Sequence, residues 1–255
     1  GYGVSRKQRE RRRLLMDVLM QEKEITVKDL AQKLNVTSET IRSDLDFLAA
    51  QGQLVKSHGW ARLPRIMKEM PLSIRQDDNL SVKQRVMKKA VEFIEDGMTV
   101  YLDPGSTVLA GMEYLRAKKN LTLVVNSTQA ALKAVQLGFR VIFLGGLMDE
   151  NGIRTTGYFA QEMAEKLQID LAVMGVCGVV KDRGFGIYWE EEMGLRRTLL
   201  SVSRKRIAVM DSSKLSTPAN FVFASFEEID AVVCDGLSED QKASLAKVRE
   251  LVEVN

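Results

Sequence analysis

The stretch that decides the fold is VTSETIRSDLDFLAAQGQLVKSHGWAR, residues 36–62. Its first half has the pattern of an amphipathic helix, because Ile41, Leu45 and Leu48 recur at intervals of three or four residues. Thr37 or Ser38 supplies an N-cap oxygen, and the glycine at position 52 is placed to end the helix. Residues 53–56 and the segment after the turn at 57–59 predict two short strands. Together they predict a recognition helix followed by a β-wing.

Two further helices are predicted before this stretch. Residues 9–22 place leucines and valine on one face, and residues 27–34 do the same in a shorter segment. Asn35 and Val36 form the turn into the recognition helix. Three short helices and a wing within about sixty residues are typical of a winged helix-turn-helix. From the pattern alone, a small helical domain that binds another protein remains an alternative.

The distribution of charge favours DNA as the partner. Residues 1–62 hold twelve basic and eight acidic residues, whereas the rest of the chain holds 25 basic and 26 acidic ones. The excess positive charge is therefore confined to the N-terminal part, where residues 6–13 form a basic run. Such a footprint suits phosphate contact, which provides affinity without sequence information.

Individual side chains of this region have different predicted roles. The polar face of the recognition helix is short-chained at its N-terminal turn, which suits a major groove, and an arginine there can pair bidentately with guanine. Basic residues at the first helix and on the wing suit phosphates. The candidate DNA-binding residues are Arg6, Arg9, Thr37, Ser38, Glu39, Thr40, Arg42, Ser43, Lys56, His58 and Arg62.

The chain is expected to divide into residues 1–62, a linker at 63–79 and a second domain at 80–255. The linker segment holds two of the four prolines and little periodicity. From residue 80 onwards, helical segments alternate with unbroken apolar runs at 98–102, 121–125, 139–144, 169–173, 207–210 and 231–234. Such runs predict a mostly parallel sheet covered on both faces, a Rossmann-like α/β domain.

Polar residues follow several of these strands, at the edge where open parallel sheets bind ligands. The segment 103–107, Asp-Pro-Gly-Ser-Thr, leads into a predicted helix at 108–117, whose N-terminus favours an anion such as phosphate. Later strands are followed by an amide and a hydroxyl, by two glycines, and by a lysine that suits a phosphate. The candidates from these strand ends are Asp103, Gly105, Ser106, Thr107, Asn126, Ser127, Gly145, Gly146 and Lys214.

Other features exclude several classes of protein. Cys177 and Cys234 lie far apart in apolar runs, which predicts buried, reduced thiols in a cytoplasmic protein. No apolar run approaches 18 residues, and no signal peptide is visible, so we expect no membrane association. His58 is the only histidine, which leaves no zinc pattern and no Ser-His-Asp relay in the second domain. We find no nucleotide-binding glycine motif and expect no cofactor.

The segment VKDLAQKLNVTSETIRSDLDFLAAQGQLVKSHGWA resembles the N-terminal signature of the DeoR family of bacterial sugar-operon repressors. Two positions depart from the family pattern. Ser43 stands where a second arginine is usual, which removes one expected DNA contact. Trp60 stands where a glycine is usual and adds an aromatic that packs on sugar or on the neighbouring domain.

The blocks DPGSTV, VVNS, FLGG, TTGYFA, MGVCGV and DSSKL are similar to successive blocks of the DeoR effector domain. The resemblance implies a fold like that of ribose-5-phosphate isomerase and a pocket for a phosphorylated sugar or sugar derivative. It also implies a repressor that acts as a homodimer or homotetramer on double-stranded operator DNA and is released by that effector. A sugar-phosphate isomerase-like enzyme using Asp103, Glu190 and Lys214 is the alternative. The resemblance adds Gly157, Gly175, Gly178 and an acidic residue, Glu190 or Glu191, to the effector-binding candidates.

Overall fold

The computed structural model describes residues 5–50, 53–63 and 79–255. The chain forms two compact units, Gly1–Asp78 and Asn79–Asn255. Most of the predicted linker at 63–79, and the glycine predicted to end the recognition helix, lie outside the described residues. The proposed domain limits therefore stay a prediction.

The N-terminal unit is a winged helix-turn-helix. Helix α1 (Arg6–Glu22) is followed by strand β1 (Glu24–Thr26), α2 (Val27–Lys33), α3 (Ser38–Ala50), β2 (Val55–Ser57) and β3 (Trp60–Arg62). The strands form an antiparallel sheet in the order β1-β3-β2, so the wing has one strand more than the sequence analysis predicted. Asn35 has a φ of 51° in the turn between α2 and α3, a conformation that asparagine tolerates.

The core of this unit is built from the predicted apolar faces. Leu15, Leu30, Ile41 and Leu48 are fully buried, and Leu45 is nearly so. They belong to one continuous cluster with residues of the wing strands. The periodicity of the sequence therefore predicted most inward positions correctly. Leu14, predicted to lie inward with Leu15, Val18 and Leu19, is 39% exposed, because the helical turn places it beside the buried stripe rather than on it.

The second unit contains a seven-stranded, wholly parallel sheet in the order β15-β14-β12-β9-β4-β5-β6. These strands are β4 (Thr99–Leu102), β5 (Thr122–Val125), β6 (Arg140–Phe143), β9 (Ile169–Gly175), β12 (Ser203–Val209), β14 (Ala231–Asp235) and β15 (Leu251–Val254). Two small antiparallel sheets join β7 (Leu147–Met148) to β8 (Thr155–Thr156), and β10 (Gly178–Val180) and β13 (Phe221–Ala224) to β11 (Gly184–Ile187).

The helices of this unit are short. They are α4 (Leu80–Ala90), α5 (Ser106–Ala110), α6 (Thr128–Gln136), α7 (Tyr158–Glu165), α8 (Met193–Ser201) and α9 (Glu239–Ser244). The helix predicted at 108–117 is in fact α5 followed by a 3-10 segment, Met112–Ala117. The break falls at Gly111, where an added Cβ would lie 2.3 Å from Met87 Cβ, so the glycine is required for packing against α4.

The order of the strands has a consequence for ligand binding. The chain runs from β4 outwards to β5 and β6 in one direction, and then returns to place β9 on the other side of β4. The crevice between the carboxyl ends of β4 and β9 is therefore the topological switch point, the usual ligand site of such a sheet. Within the described residues, no helix is long and apolar enough to span a bilayer. Cys177 and Cys234 are buried and form no disulfide, as predicted.

Candidate DNA-reading surface and effector site

Helix α3 presents a polar surface at its N-terminal end. The backbone N–H of Thr40 donates to Thr37 Oγ1 at 3.2 Å, which identifies Thr37 as the capping residue. Glu39, Arg42 and Ser43 are exposed on the turns that follow. Within the described residues the guanidinium of Arg42 has no hydrogen bond or ion pair. An exposed, unengaged arginine in this position suits contact with a base edge.

Part of the basic run of α1 is committed to the interior of the unit. Asp44, exposed to only 1%, accepts a hydrogen bond at 2.5 Å from Arg11 Nε and another at 2.8 Å from Arg12 Nε. The guanidinium of Arg12 also lies 3.7 Å from the centre of the Phe47 ring. The expectation that the whole run contacts phosphate is therefore wrong for these two arginines, which tie α1 to α3. Arg6 remains exposed, and Arg9 is half-buried.

The wing brings three more candidates to the surface. His58 is exposed in the two-residue turn before β3, and Gly59 has a φ of 80°, which favours glycine at that position. Lys56 forms an ion pair with Asp46 of α3, and both side chains are about half exposed. Arg62 is half-buried, with its guanidinium 5.9 Å from the centre of the Trp60 ring. Trp60 therefore packs within the wing, beside a residue predicted to contact phosphate.

The switch point of the second unit holds a buried ion pair. Asp103, at the carboxyl end of β4, is 1% exposed and lies with Oδ2 2.8 Å from Arg196 Nη2 of α8. Its Oδ1 accepts a hydrogen bond from the Gly105 N–H at 2.7 Å. Arg196 Nη1 donates to the Gly175 carbonyl at 2.9 Å, which links the ends of β4 and β9. Burial alone would lower the pKa of Arg196, but the carboxylates of Asp103 and Glu192 raise it above its usual value, so the guanidinium stays charged.

A second set of buried groups adjoins this pair. The Tyr101 hydroxyl donates to Asn126 Oδ1 at 2.7 Å, and Asn126 Nδ2 donates to the Thr155 carbonyl at 2.8 Å. Arg154 Nη1 donates to Glu192 Oε1 at 2.8 Å, and that oxygen is 3.6 Å from Arg196 Nε. Burial and the nearby Asp103 carboxylate raise the pKa of the Tyr101 phenol well above 10.0. These side chains form what we call the polar cluster: Tyr101, Asp103, Asn126, Arg154, Glu192 and Arg196.

Two predicted glycines are explained by the space that Asp103 requires. A Cβ on Gly175 would lie 2.6 Å from Asp103 Oδ1, and one on Gly105 would lie 3.0 Å from the same atom. By contrast, a Cβ on Gly178 would lie 2.2 Å from the Thr217 carbonyl oxygen, and one on Gly146 would lie 2.5 Å from that of Thr156. These two positions have a packing reason for glycine that is independent of any ligand.

The remaining predicted residues occupy varied positions. Ser106 and Thr107 are buried at the start of α5, a helix of five residues with a correspondingly small dipole. Ser127 caps α6 by accepting from the Ala130 N–H at 3.1 Å. Gly157, with a φ of 89°, precedes α7, and Gly145 follows β6 with space around it. Their roles as effector ligands stay predictions.

Lys214 lies after β12 and acts on a buried carboxylate. Burial raises the pKa of Asp211, but the ammonium of Lys214, the hydrogen bonds from Ser213 and the ammonium of Lys83 together lower it below its usual 3.8. Lys83 of α4 is itself only 2% exposed. Asp211 is therefore ionised at neutral pH and lies near the ammonium groups of Lys214 and Lys83.

Sequence reasoning proposed Asp103 and Asn126 but missed the other four members of the polar cluster. It proposed Glu190, but the structure exposes Glu190 and Glu191 and buries Glu192 of the same 3-10 segment, so the role of Glu190 stays a prediction. Arg196 carried one signal: it lies in the apolar stripe of α8, between Leu195 and Leu199, where an unpaired arginine would be costly. Tyr101 lies in the run predicted as a buried strand, but nothing in the sequence marks its hydroxyl as part of a site, and nothing marks Arg154 as buried.

Comparison with protein families matches both units. Residues 11–66 match the DeoR-like helix-turn-helix domain, and residues 78–236 match the DeoR C terminal sensor domain. The chain is 27% identical over 230 residues to the glycerol-3-phosphate regulon repressor of Escherichia coli (strain K12), covering 90% of this chain and 91% of that protein. It is 29% identical over 232 residues to the HTH-type transcriptional repressor GlcR of Bacillus subtilis (strain 168), covering 90% and 89%.

Among solved structures, ribose 5-phosphate isomerase A from Methanocaldococcus jannaschii aligns with a TM-score of 0.41 and 19% identity, over 54% of this chain and 55% of that one. Within the described residues, no group of three or more His, Cys, Asp or Glu side chains is placed to hold a metal ion.

Proposed function

The chain belongs to the DeoR family of helix-turn-helix transcriptional regulators, and from that premise we propose that it represses a carbohydrate operon and is released from the operator by a phosphorylated sugar. The main support for this proposal is that one chain combines an exposed reading helix with a buried polar cluster at the switch point of a parallel sheet. The family is one of transcriptional regulators, so this chain is not an isomerase-like enzyme.

On the DNA side, α3 enters the major groove with Ser38, Glu39, Thr40 and Arg42 towards the bases. Arg42 supplies the strongest base contact, because its guanidinium is exposed and unengaged within the described residues. Thr37 and Ser43 flank this set, and His58 lies at the wing tip. Phosphate contacts come from Arg6, Arg9, Lys56 and Arg62. Lys56 has to exchange Asp46 for a phosphate, which costs little because the pair is solvated.

On the effector side, the ligand lies at the carboxyl ends of the parallel strands, over Asp103, Asn126 and the glycines that follow β6 and β9. Asp103 suits sugar hydroxyls, since a carboxylate accepts strong hydrogen bonds from them. Lys214 supplies the positive charge for the phosphate. The relatives support this class of ligand, since one of them is a glycerol-3-phosphate regulon repressor.

The effector and the DNA compete through the arrangement of protomers. Two recognition helices of a homodimer or homotetramer have to match the spacing of operator half-sites. An effector releases DNA only if it binds more tightly to an arrangement with poorer spacing. Because the target is chromosomal DNA, the protein acts in the cytoplasm.

The experiment is a gel-shift titration with DNA from upstream of the protein's own operon, with and without pentose, hexose and hexitol phosphates. Arg42→Ala should weaken operator binding by about 5- to 150-fold, the equivalent of ~1–3 kcal/mol for a bidentate contact. Arg183→Ala, a change at an exposed arginine of the second unit, is the matched control. Unchanged affinity for Arg42→Ala would remove the base-reading role.

A second pair of variants tests the effector side. Lys214→Ala should retain operator affinity but lose the response to phosphorylated sugars, because the phosphate loses its counter-charge. Lys181→Ala, which changes an exposed lysine elsewhere in the same unit, should respond normally. A normal response by Lys214→Ala would contradict the phosphate site.

A further inference from the structure

The second unit exposes a group of large apolar side chains at one edge of its sheet. We call this surface the apolar edge and define it by Phe143, Leu147, Met148, Tyr158, Phe159 and Met163. Their exposed fractions run from 36% for Phe143 to 74% for Leu147. A solvated surface rarely holds so many large apolar side chains together, so the surface needs a partner.

The elements that carry the apolar edge lie next to one another. The Tyr158 and Phe159 rings stack edge to face with centres 5.4 Å apart. The Met163 sulfur lies 3.4 Å from the Gly145 N–H, immediately after β6. A Cβ on Gly157, which precedes α7, would lie 3.8 Å from Leu147 Cβ. The surface is therefore continuous from the end of β6, through β7, to the first turns of α7.

We propose that the apolar edge is the surface through which two copies of this chain associate. Six large apolar side chains, each exposed to at least 36%, supply a large part of the ~800 Å² that each partner contributes to a standard interface. Strand β6 is also the last strand of the sheet, and no described strand pairs with its outer side. Since an uncovered edge strand invites uncontrolled pairing, cover by a defined partner is expected.

The charges around the surface favour a second copy over other partners. The elements α6, β6, β7 and α7 carry two basic and two acidic residues, so a copy of the same surface is not repelled. Arg140 and Glu165 are exposed and, within the described residues, have no ion pair, which allows each to meet an opposite charge in a two-fold arrangement. A balanced surface of this kind also lacks the excess positive charge that attracts nucleic acid or anionic lipid.

The position of the surface links association to the effector, and this part rests on the proposed function. Residues 154–158 join the two regions directly. Arg154 pairs with Glu192, and the Thr155 carbonyl accepts from Asn126, both in the polar cluster. Tyr158 begins α7 only three residues later. An effector that displaces this segment therefore moves the apolar edge, and with it the spacing of the protomers.

The test is sedimentation velocity of the full-length protein across a concentration series. Phe159→Glu should lower the mass by one association step, from tetramer to dimer or dimer to monomer, with the dissociation constant raised at least ~100-fold, because a two-fold interface buries the new charge twice. Leu147→Glu should act in the same direction. Ala243→Glu, which adds the same charge at an exposed position on α9, is the matched control and should sediment as the parent protein does.

Two results would overturn the inference: a parent protein that is monomeric throughout, or apolar-edge variants with the parent's mass. If such variants keep the parent's mass while residues 64–78 become newly sensitive to protease, the surface is covered by the chain's own N-terminal part instead. Gel shifts on the same samples separate the two proposals. If the parent protein binds DNA selectively but the variants associate as it does, only the interface proposal fails. If the variants lose association but the parent shows no selective DNA binding, only the proposed function fails.

Discussion

Replacing Asp44 with asparagine should loosen the DNA-binding unit far more than the same change at Asp46, two residues along α3. Asp44 is 1% exposed and receives hydrogen bonds from both Arg11 and Arg12, whose side chains are 16% and 7% exposed. Breaking a buried ion pair costs ~3–5 kcal/mol, because the remaining charge stays buried. Asparagine retains one acceptor oxygen, so we expect Asp44→Asn to lower the free energy of unfolding of this unit by about 3 kcal/mol, the lower end of that range.

The matched change removes a solvated pair. Asp46 and its partner Lys56 are 57% and 45% exposed. Pairs of this kind contribute ~0–1 kcal/mol. A domain of about sixty residues has a total stability of ~3–9 kcal/mol, so Asp44→Asn removes a large part of it while Asp46→Asn does not.

Hydrogen exchange measured by mass spectrometry on the full chain is the suitable assay, because a two-unit protein does not unfold as a single two-state system. Protection of amides in α3 should fall by roughly 100-fold in Asp44→Asn and by less than ~5-fold in Asp46→Asn. Peptides covering β4, in the other unit, serve as the internal control. Equal protection of α3 in the two variants would refute the structural role of the Asp44 pairs.

Three further predictions concern the polar cluster. Gly175→Ala should abolish the response to effector and leave operator affinity intact, since its Cβ would meet an Asp103 oxygen at 2.6 Å, whereas Gly236→Ala, outside the proposed site, has room for the Cβ; paired gel shifts decide this, and equal responses would contradict it. Tyr101→Phe should cost about 1 kcal/mol at pH 8 through the lost hydrogen bond. Because the pKa of the phenol is raised in the folded protein, the unfolded chain loses this proton near pH 10.0 while the folded chain keeps it. The phenol's contribution to the stability of the parent protein is therefore fully present below pH 10 and falls as the pH rises further. Urea unfolding of the second unit, followed through Trp189 in a Trp60→Phe background from pH 8 to 11, should show the difference in unfolding free energy from Tyr101→Phe narrowing above pH 10. A constant difference would oppose the explanation. Glu192→Gln should weaken the effector response and lower the thermal stability more than Glu190→Gln, because only Glu192 is buried between two arginines. Isothermal titration with the effector found by gel shift measures the response, and a larger effect of Glu190→Gln would contradict this prediction.

Local chemistry explains what sequence reasoning predicted well. The inward faces of α1, α2 and α3 follow from periodicity, since a helix places residues three and four apart on one face. The runs that became β4, β5 and β14 are apolar throughout because both faces of a parallel sheet are covered. The polar residues that follow those strands could be recognised because each apolar run stops at them.

The strands that sequence reasoning missed are those without such a signal. Strand β1 has three residues and pairs with β3 only through the tertiary fold. Strand β15, LVEV, was not predicted; a glutamate interrupts its apolar run, and pairing with β14 is what makes it part of the sheet. The antiparallel strands β10 and β11 contain glycines at 178, 184 and 186, which propensity assigns to turns.

By itself, the sequence determined the two-part architecture, the reading helix with its exposed Arg42, and the placement of Asp103, Asn126 and Lys214 after strands. Only the tertiary structure decided that β9 returns beside β4, which makes the end of β4 the switch point. It alone distinguished the arginines that face solvent from Arg11, Arg12, Arg154 and Arg196, which are paired inside the protein. The physical reason is that the burial of a charge depends on partners distant in the chain, 33 residues away for Arg11 and 93 for Arg196, and no local pattern encodes such a pairing.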